Sequence, residues 1–342
     1  MRAVLAEDGL APDRDGARRS LLRVLVYHRV HDSARAVWGD PHLHSATPEA
    51  FDAQMAYLTR RYTPVTATEV AAAVRGEVPL PRRAVLVTFD DAYRDFLIHA
   101  WPVLRRHRVP ALLFVPTAFL GADRGFWWDD LYESVMRTEA LAVQVGSRIL
   151  LLRTRDERHA AARILIRSLR ALRPDELSAR LGRLRNQLGA PERGERQVLT
   201  WEELRGLVAE GLAVGAHTRT HPPLPSLAQD ELEHELRGAH ADLQRELGQA
   251  PVMFAYTFGL ADQRVVPILR ELGYAGAFIS LYGRNRVSER DPFLLYRQSV
   301  DLHHSMPRFA LSLTVPYLGA RESGRALRQR VRNGLSWLTS LR

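Results

Sequence analysis

Apolar residues along the chain gather into short runs at 22–27, 85–89, 111–115, 212–216, 252–256 and 275–279, with a weaker one at 62–66. Runs of this length, bounded by polar or turn residues, read as buried strands. Between them apolar residues recur three and four apart, the period of a helix with one buried face. Thr47-Pro48-Glu49 supplies an N-cap followed by Pro at the first helical position, opening a helix to about Arg60. Thr66 with Glu69, and Thr200 with Glu203, form capping boxes, and Gly211 closes the second of these helices. A helix is expected over 93–106, and Ser226 caps another that ends at Gly248. Strands alternating with helices predict a parallel sheet with crossover connections. Seven such strands predict a closed barrel rather than an open sheet.

The alternation breaks over 121–199, which reads as a mainly helical insertion beginning with Phe126-Trp127-Trp128-Asp129-Asp130. Val143/Val145 and Ile149/Leu151 flank Gly146-Ser147 and predict a hairpin. One amphipathic helix follows with Ala162, Leu165, Ile166, Leu169 and Leu172 on its buried face. A second starts at Pro174-Asp175 and buries Leu177, Leu181, Leu184 and Leu188. The opposite faces of both carry many arginines, and a solvated face is the expectation, with a lid or docking surface as the alternative.

Chemistry gathers where the strands end. His28, Asp90, Asp91, Thr117, His217, His221 and Thr257 each lie just after an apolar run. In barrels of parallel strands that end builds the active site. Asp90 and Asp91 repel each other unless a cation or proton lies between them. His217 and His221 are four apart, so one helical turn puts both imidazoles on one side; Pro222 and Pro223 end that turn. The two strand ends are expected to meet around a divalent metal. Two imidazoles and one carboxylate leave coordination positions open, as a catalytic site requires. Such a metal acidifies a water it binds and polarises a carbonyl, and the aspartate left off it can act as base. The chemistry implied is metal-assisted hydrolysis of an amide or ester. Alone, the histidine pair reads as surface or packing residues and the aspartate pair as a turn or cap. Their joint position at strand ends carries the inference.

Composition narrows this picture. The 342 residues are 46% hydrophobic and 25% charged, ordinary for a globular chain. There is no cysteine, so any metal must use His and carboxylate ligands. The net charge is +9, and the surplus is arginine, since the chain has no lysine. Nucleic acid, anionic lipid or an anionic glycan could take that charge, as could a plain arginine-rich surface. With no pattern of a nucleic-acid-binding module, nucleic acid is not an expected partner. No run approaches the roughly 20 apolar residues of a membrane span, and residues 1–20 lack the apolar core of a signal peptide. A disordered segment 1–20 and a cytoplasmic protein, alternatively peripheral at the inner membrane, are expected.

Three motifs carry a resemblance. Thr88-Phe89-Asp90-Asp91, His217-Thr218-Arg219-Thr220-His221-Pro222 and Phe254-Ala255-Tyr256-Thr257-Phe258-Gly259 resemble the first three motifs of the polysaccharide deacetylases, the NodB-homology enzymes of carbohydrate esterase family 4. Val26-Tyr27-His28-Arg29-Val30 and Trp127-Trp128-Asp129 resemble its exopolysaccharide-associated branch. The similarity covers roughly residues 21–300. It implies an α/β fold, a distorted (β/α)7 barrel related to the TIM barrel, and removal of acetyl groups from N-acetylated amino sugars. By the same resemblance Asp90 is the general base, Asp91, His217 and His221 are the metal ligands, and the Phe258 N–H helps hold the oxyanion. The expected cofactor is a divalent metal, Zn2+ first, with Co2+, Ni2+ or Fe2+ as alternatives. The chain departs from the motifs at Ala92, where Gly is usual, at Thr257, where Pro is usual, and at Ala255, where an arginine steadies the base. Arg297, from a later strand, is the candidate replacement. The last family motif has no match in Leu302-His303-His304, so His28 is a candidate acid or supporting group.

The organisation expected is therefore residues 1–20, a barrel over 21–320 with the insertion at 121–199, and a basic amphipathic helix over 321–342. Leu327, Val331, Leu335 and Leu338 form that helix's apolar side. It packs on the barrel or, alternatively, touches an anionic membrane. The substrate expected is an N-acetylated glycan or its precursor. A deacylase or deformylase of a lipid-linked sugar, and a weakly catalytic glycan binder, are the competing readings.

Overall fold

Seven parallel staves close into a ring in the computed structural model, which describes residues 21–31, 39–122, 125–170, 172–189 and 197–324. They are β1 (Leu21–Tyr27), β2 (Ala84–Phe89), β3 (Ala111–Val115), β4 (Ala213–Ala216), β5 (Met253–Ala255), β6 (Gly276–Ile279) and β7, which is made of two pieces, Leu295–Tyr296 and Gln298–Ser299. Each stave pairs with the next in that order. The first piece of β7 bonds to β6 and the second to β1, so one short segment closes the barrel.

Side chains alternate across a strand, and the ring sorts them into inside and outside. Leu22, Val24, Leu86, Phe114, Ala255 and Phe278 fall in one buried cluster, the lumen. Ala67, Val70 and Ala71 join it from below. The alternate residues, such as Leu25, Val87 and Leu113, face the surrounding helices in a second, larger cluster. Gly215 is needed where Phe114 crosses the lumen, since a Cβ there would lie 2.5 Å from the Phe114 ring.

The helices start where their caps dictate. Thr47 accepts the Ala50 N–H and opens α1 (Pro48–Arg61). Thr66 and Glu69 form the capping box of α2 (Ala67–Val74). The helix expected from residue 93 begins instead as a widened turn, Phe96–Ala100, ahead of Pro102, which has no N–H to donate; it continues as α3 (Trp101–His107). Tyr93 pairs with Val198.

Between β3 and β4 lie α4 (Trp127–Arg137), the antiparallel hairpin Ala142–Val145 with Arg148–Leu151, α5 (Arg155–Leu169), α6 (Pro174–Leu188) and α7 (Trp201–Ala209). The hairpin turns at Gly146, whose φ of 60° suits glycine. α5 buries Ala162, Leu165, Ile166 and Leu169, and α6 buries Leu181, Leu184 and Leu188. Leu172 and Leu177 are only half-buried against them. The Thr200–Glu203 capping box opens α7. α8 (Gln229–Leu247) and α9 (Val265–Glu271) complete the crossovers.

Two expectations are corrected. The run at 62–66 forms only Thr63–Pro64, which pairs with the first two residues of β2 and stays out of the ring. Its place as seventh stave belongs to β7, whose Arg297 and Gln298 interrupt any apolar run. Ser226 does not cap α8. It lies in a 3-10 turn and donates to the Pro223 carbonyl, while the Glu231 carboxylate receives the Ala228 N–H at the true start. The expectations for residues 1–20 and for the helix around Leu327, Val331, Leu335 and Leu338 lie outside the described residues. No helix among the described residues is long and apolar enough to cross a membrane.

Candidate active site

The parity that fills the lumen also aims the site. Two steps past Thr88 comes Asp90, past Gly215 comes His217, and past Leu295 comes Arg297. All three are buried at the mouth of the barrel. The Arg297 guanidinium lies over the Phe114 ring, 5.3 Å from its centroid.

Arg297 grips Asp90 with two hydrogen bonds, Nη1 to Oδ1 at 2.6 Å and Nη2 to Oδ2 at 2.7 Å. This is the fork geometry that a guanidinium offers a carboxylate. Burial alone would push the Asp90 carboxyl upward, but Arg297 foremost, then His217, outweigh it and hold it down at about 2. The chain thus supplies Asp90 with an arginine from β7, while the third motif has Ala255. Ala255 serves the site differently: its carbonyl accepts the His217 Nδ1–H at 2.8 Å.

That bond fixes the His217 tautomer and leaves Nε2 as a lone pair facing inward. His217 Nε2 is 3.7 Å and His221 Nε2 3.3 Å from Asp91 Oδ1. The ligand atoms of all three side chains lie within 4.8 Å of one another. Asp91 Oδ1 and His221 Nδ1 are buried with no hydrogen-bond partner. Burial, and then the Asp90 charge, push the Asp91 carboxyl well above its ordinary range. Burial lowers both imidazoles, keeping them in the neutral, ligating form. A carboxylate oxygen this isolated, opposite two neutral imidazoles, is a donor set that fits a divalent cation.

No helical turn brings the histidines together. Residues 217–221 follow an irregular path, with Thr218 and His221 in the left-handed region at φ 66° and 57°, and the rings end 4.8 Å apart. Glu235 of α8 fastens the path by accepting the N–H groups of Arg219 and Thr220, each at 2.8 Å, and the Thr220 hydroxyl at 2.6 Å. Asp91, Ala92, Thr218, His221 and Phe258 all have positive φ; among the described residues only Arg83 and Arg108 join them outside glycine. Strain of about 1–2 kcal/mol per residue, concentrated in this way, marks a functional site.

The departures from the motifs have physical readings. Ala92 stands at φ 53°, a conformation natural to the usual Gly. The Thr257 hydroxyl donates to the Pro222 carbonyl and so ties the third motif to the histidine segment.

A cleft of about 260 Å³ opens above these groups, lined also by His28, Trp128, Arg170, Tyr256, Phe258 and Ser280. Burial lowers His28 to about 4, against the opposing pull of Asp90. Trp128 stands 4.9 Å from the His221 ring and 5.9 Å from Phe258. Its indole N–H donates to the Tyr93 hydroxyl at 3.0 Å, which donates to Asp129 at 2.7 Å. Asp129 also accepts the Asp40 N–H at 3.0 Å. Sequence reasoning placed Asp90, Asp91, His28, His217, His221, Phe258 and Arg297 in one region, and the structure gathers all seven. It did not foresee Trp128, Arg170 or Glu235 as site residues. The Trp127-Trp128-Asp129 motif was a signal for the first; the other two had none.

Residues 77–277, more than half of the chain, match the family model of polysaccharide deacetylases. The chain belongs to the polysaccharide deacetylase family. A stretch of 89 residues is 36% identical to poly-beta-1,6-N-acetyl-D-glucosamine N-deacetylase of Escherichia coli (strain K12), covering 26% of this chain and 13% of that protein. Among solved structures, the Streptococcus pyogenes deacetylase PplD in complex with acetate matches with a TM-score of 0.56 at 18% identity, over 86% of this chain and 98% of that one. IcaB from Ammonifex degensii matches with a TM-score of 0.55 at 22% identity, over 87% and 97%. At these identities the structural likeness shows the deacetylase barrel fold.

Proposed function

We propose that this chain is a metal-dependent N-deacetylase of an amino-sugar glycan, of the exopolysaccharide type, with Asp90 as general base. The observation that carries this reading is the separation of two adjacent aspartates. Arg297 claims Asp90, while Asp91 turns to His217 and His221. Asp91, His217 and His221 would hold the metal, Zn2+ being the first candidate. When bound, it lowers the pKa of a water and polarises the acetamide carbonyl.

Asp90 is ionised at neutral pH and receives the proton of the attacking water. Held low by Arg297 against its burial, the carboxylate is in the acceptor form that a base requires. Arg297 keeps its oxygens aimed and charged. Phe258 lines the cleft with its backbone in the left-handed region, and its N–H is the candidate donor to the developing oxyanion. His28, on the cleft wall, is the candidate proton donor to the leaving amine. It rests neutral, and the Asp90 charge favours its taking up the proton it must pass on. The name of the Escherichia coli relative makes β-1,6-linked N-acetylglucosamine oligomers the first substrate to try. Acetate release from them should stop on chelation and return with added divalent metal. Fully metal-loaded protein that releases acetate from no N-acetylated glycan would rule the reading out.

A further inference from the structure

Arg170 is a charged residue of the cleft that nothing in this chemistry uses. It caps the C-terminus of α5, its own N–H bonded to the Ile166 carbonyl. Its side chain lines the cleft beside His28, Asp91 and Phe258. The guanidinium carbon lies 5.6 Å from the centroid of the Phe258 ring. Its Nε is buried without a hydrogen-bond partner, and its side chain forms no ion pair or hydrogen bond among the described residues. The other arginines drawn into the interior are matched: Arg297 with Asp90, Arg29 with Asp95 at 2.6 Å, and Arg23 with the Leu313 carbonyl at 2.7 Å. Neither carboxylate of the cleft serves Arg170, because Asp90 is taken by Arg297 and Asp91 faces the histidines. A buried donor without an acceptor is costly and calls for one.

We propose that Arg170 recognises an oxyanion carried by the substrate, a uronate carboxylate or a sugar-linked phosphate next to the N-acetyl group. This rests on the glycan-deacetylase reading of the same site. A guanidinium matches both groups with paired hydrogen bonds. A neutral sugar offers it only hydroxyls, and a neighbouring free amine would be repelled. Arg170 is thus a specificity residue, supplied by the β3–β4 connection rather than by the barrel.

Binding tests this apart from turnover. In the Asp90→Asn protein, calorimetry would compare a neutral N-acetylglucosamine tetramer, an alternating glucuronate–N-acetylglucosamine tetramer, and UDP-N-acetylglucosamine. At least one anionic ligand should bind about tenfold or more tightly than the neutral one, and added salt should erode the preference. The tighter of the two anionic ligands names the source, carboxylate or phosphate. Adding Arg170→Gln should abolish the preference, and Arg170→Lys should keep part of it. Equal affinities for all three ligands, or a preference that survives Arg170→Gln, would overturn the proposal. A purely structural pairing with Phe258 predicts equal losses for neutral and anionic ligands. Because no acetate is measured, failure here is distinct from failure of the deacetylase reading.

Discussion

The barrel and the β3–β4 connection build one cleft by different means. From the barrel come paired charges: Asp90 with Arg297, His217 with the Ala255 carbonyl, and the histidine segment with Glu235. Each barrel group is placed by the two-residue period of a stave and then locked by a partner. From the connection come Trp128, against His221, and Arg170, over Phe258, held by ring contacts and a polar chain through Tyr93 to Asp129. The difference separates tasks. On the proposed function, the paired wall serves the chemistry, which tolerates little displacement, and the added wall serves recognition.

The largest effect is expected from removing the lock on the barrel side. Arg297→Ala leaves Asp90 buried without its cation, and a broken buried pair costs about 3–5 kcal/mol. Chemical denaturation should show a loss of that order. Turnover should fall steeply, and the acidic limb of the pH–rate profile should move upward as the Asp90 carboxyl rises, with metal content kept. Arg297→Lys should recover only part, since an ammonium lacks the fork. Unchanged stability and turnover would mean that the barrel wall does not depend on its pairs.

On the connection side the lever is Asp129, which burial pushes up to about 7 despite the nearby Arg29. The unfolded chain releases this proton near pH 4, the folded one only near 7. Stability from this group is therefore present below about pH 4 and is lost as the pH rises through about 7. Asp129→Asn should flatten that fall, on the order of a few kcal/mol across the window. Thermal melts of both proteins between pH 4 and 8 check it, and parallel curves would contradict the reading of a protonated Asp129.

The smallest effect belongs to the strained turn that carries Asp91 and Ala92. Ala92→Gly relieves a left-handed alanine and should stabilise the fold by about 1 kcal/mol, read as a raised denaturation midpoint. No gain would mean that the turn stores no strain at Ala92.

The two walls also differ in how far the sequence reveals them. Six of the seven staves show as apolar runs, and the reactive side chains of β2 and β4 follow directly from where those runs stop. β7 does not show, because its lumen position is an arginine and its two halves bond to different neighbours. The caps of α1, α2 and α7 are written locally and match the structure at Thr47, Thr66 and Thr200. The approach of His217 to His221 is not written locally. It depends on left-handed backbone at Thr218 and His221, held by a glutamate from α8. Arg170 is invisible for a simpler reason: on an arginine-rich helix, one that turns inward has the same local pattern as those that face water.

On the proposed function, two strand ends meet to hold one metal and leave Asp90 free as base. Metal content measured together with acetate release, for wild type, Asp91→Ala and Asp90→Asn, tests it most directly. Wild type should bind about one divalent ion per chain and release acetate. Asp91→Ala should lose the metal, and Asp90→Asn should keep it while activity falls by about a hundredfold or more. Asp90→Asn protein that loses its metal, or Asp91→Ala protein that retains both metal and activity, would contradict the division of labour between the two aspartates.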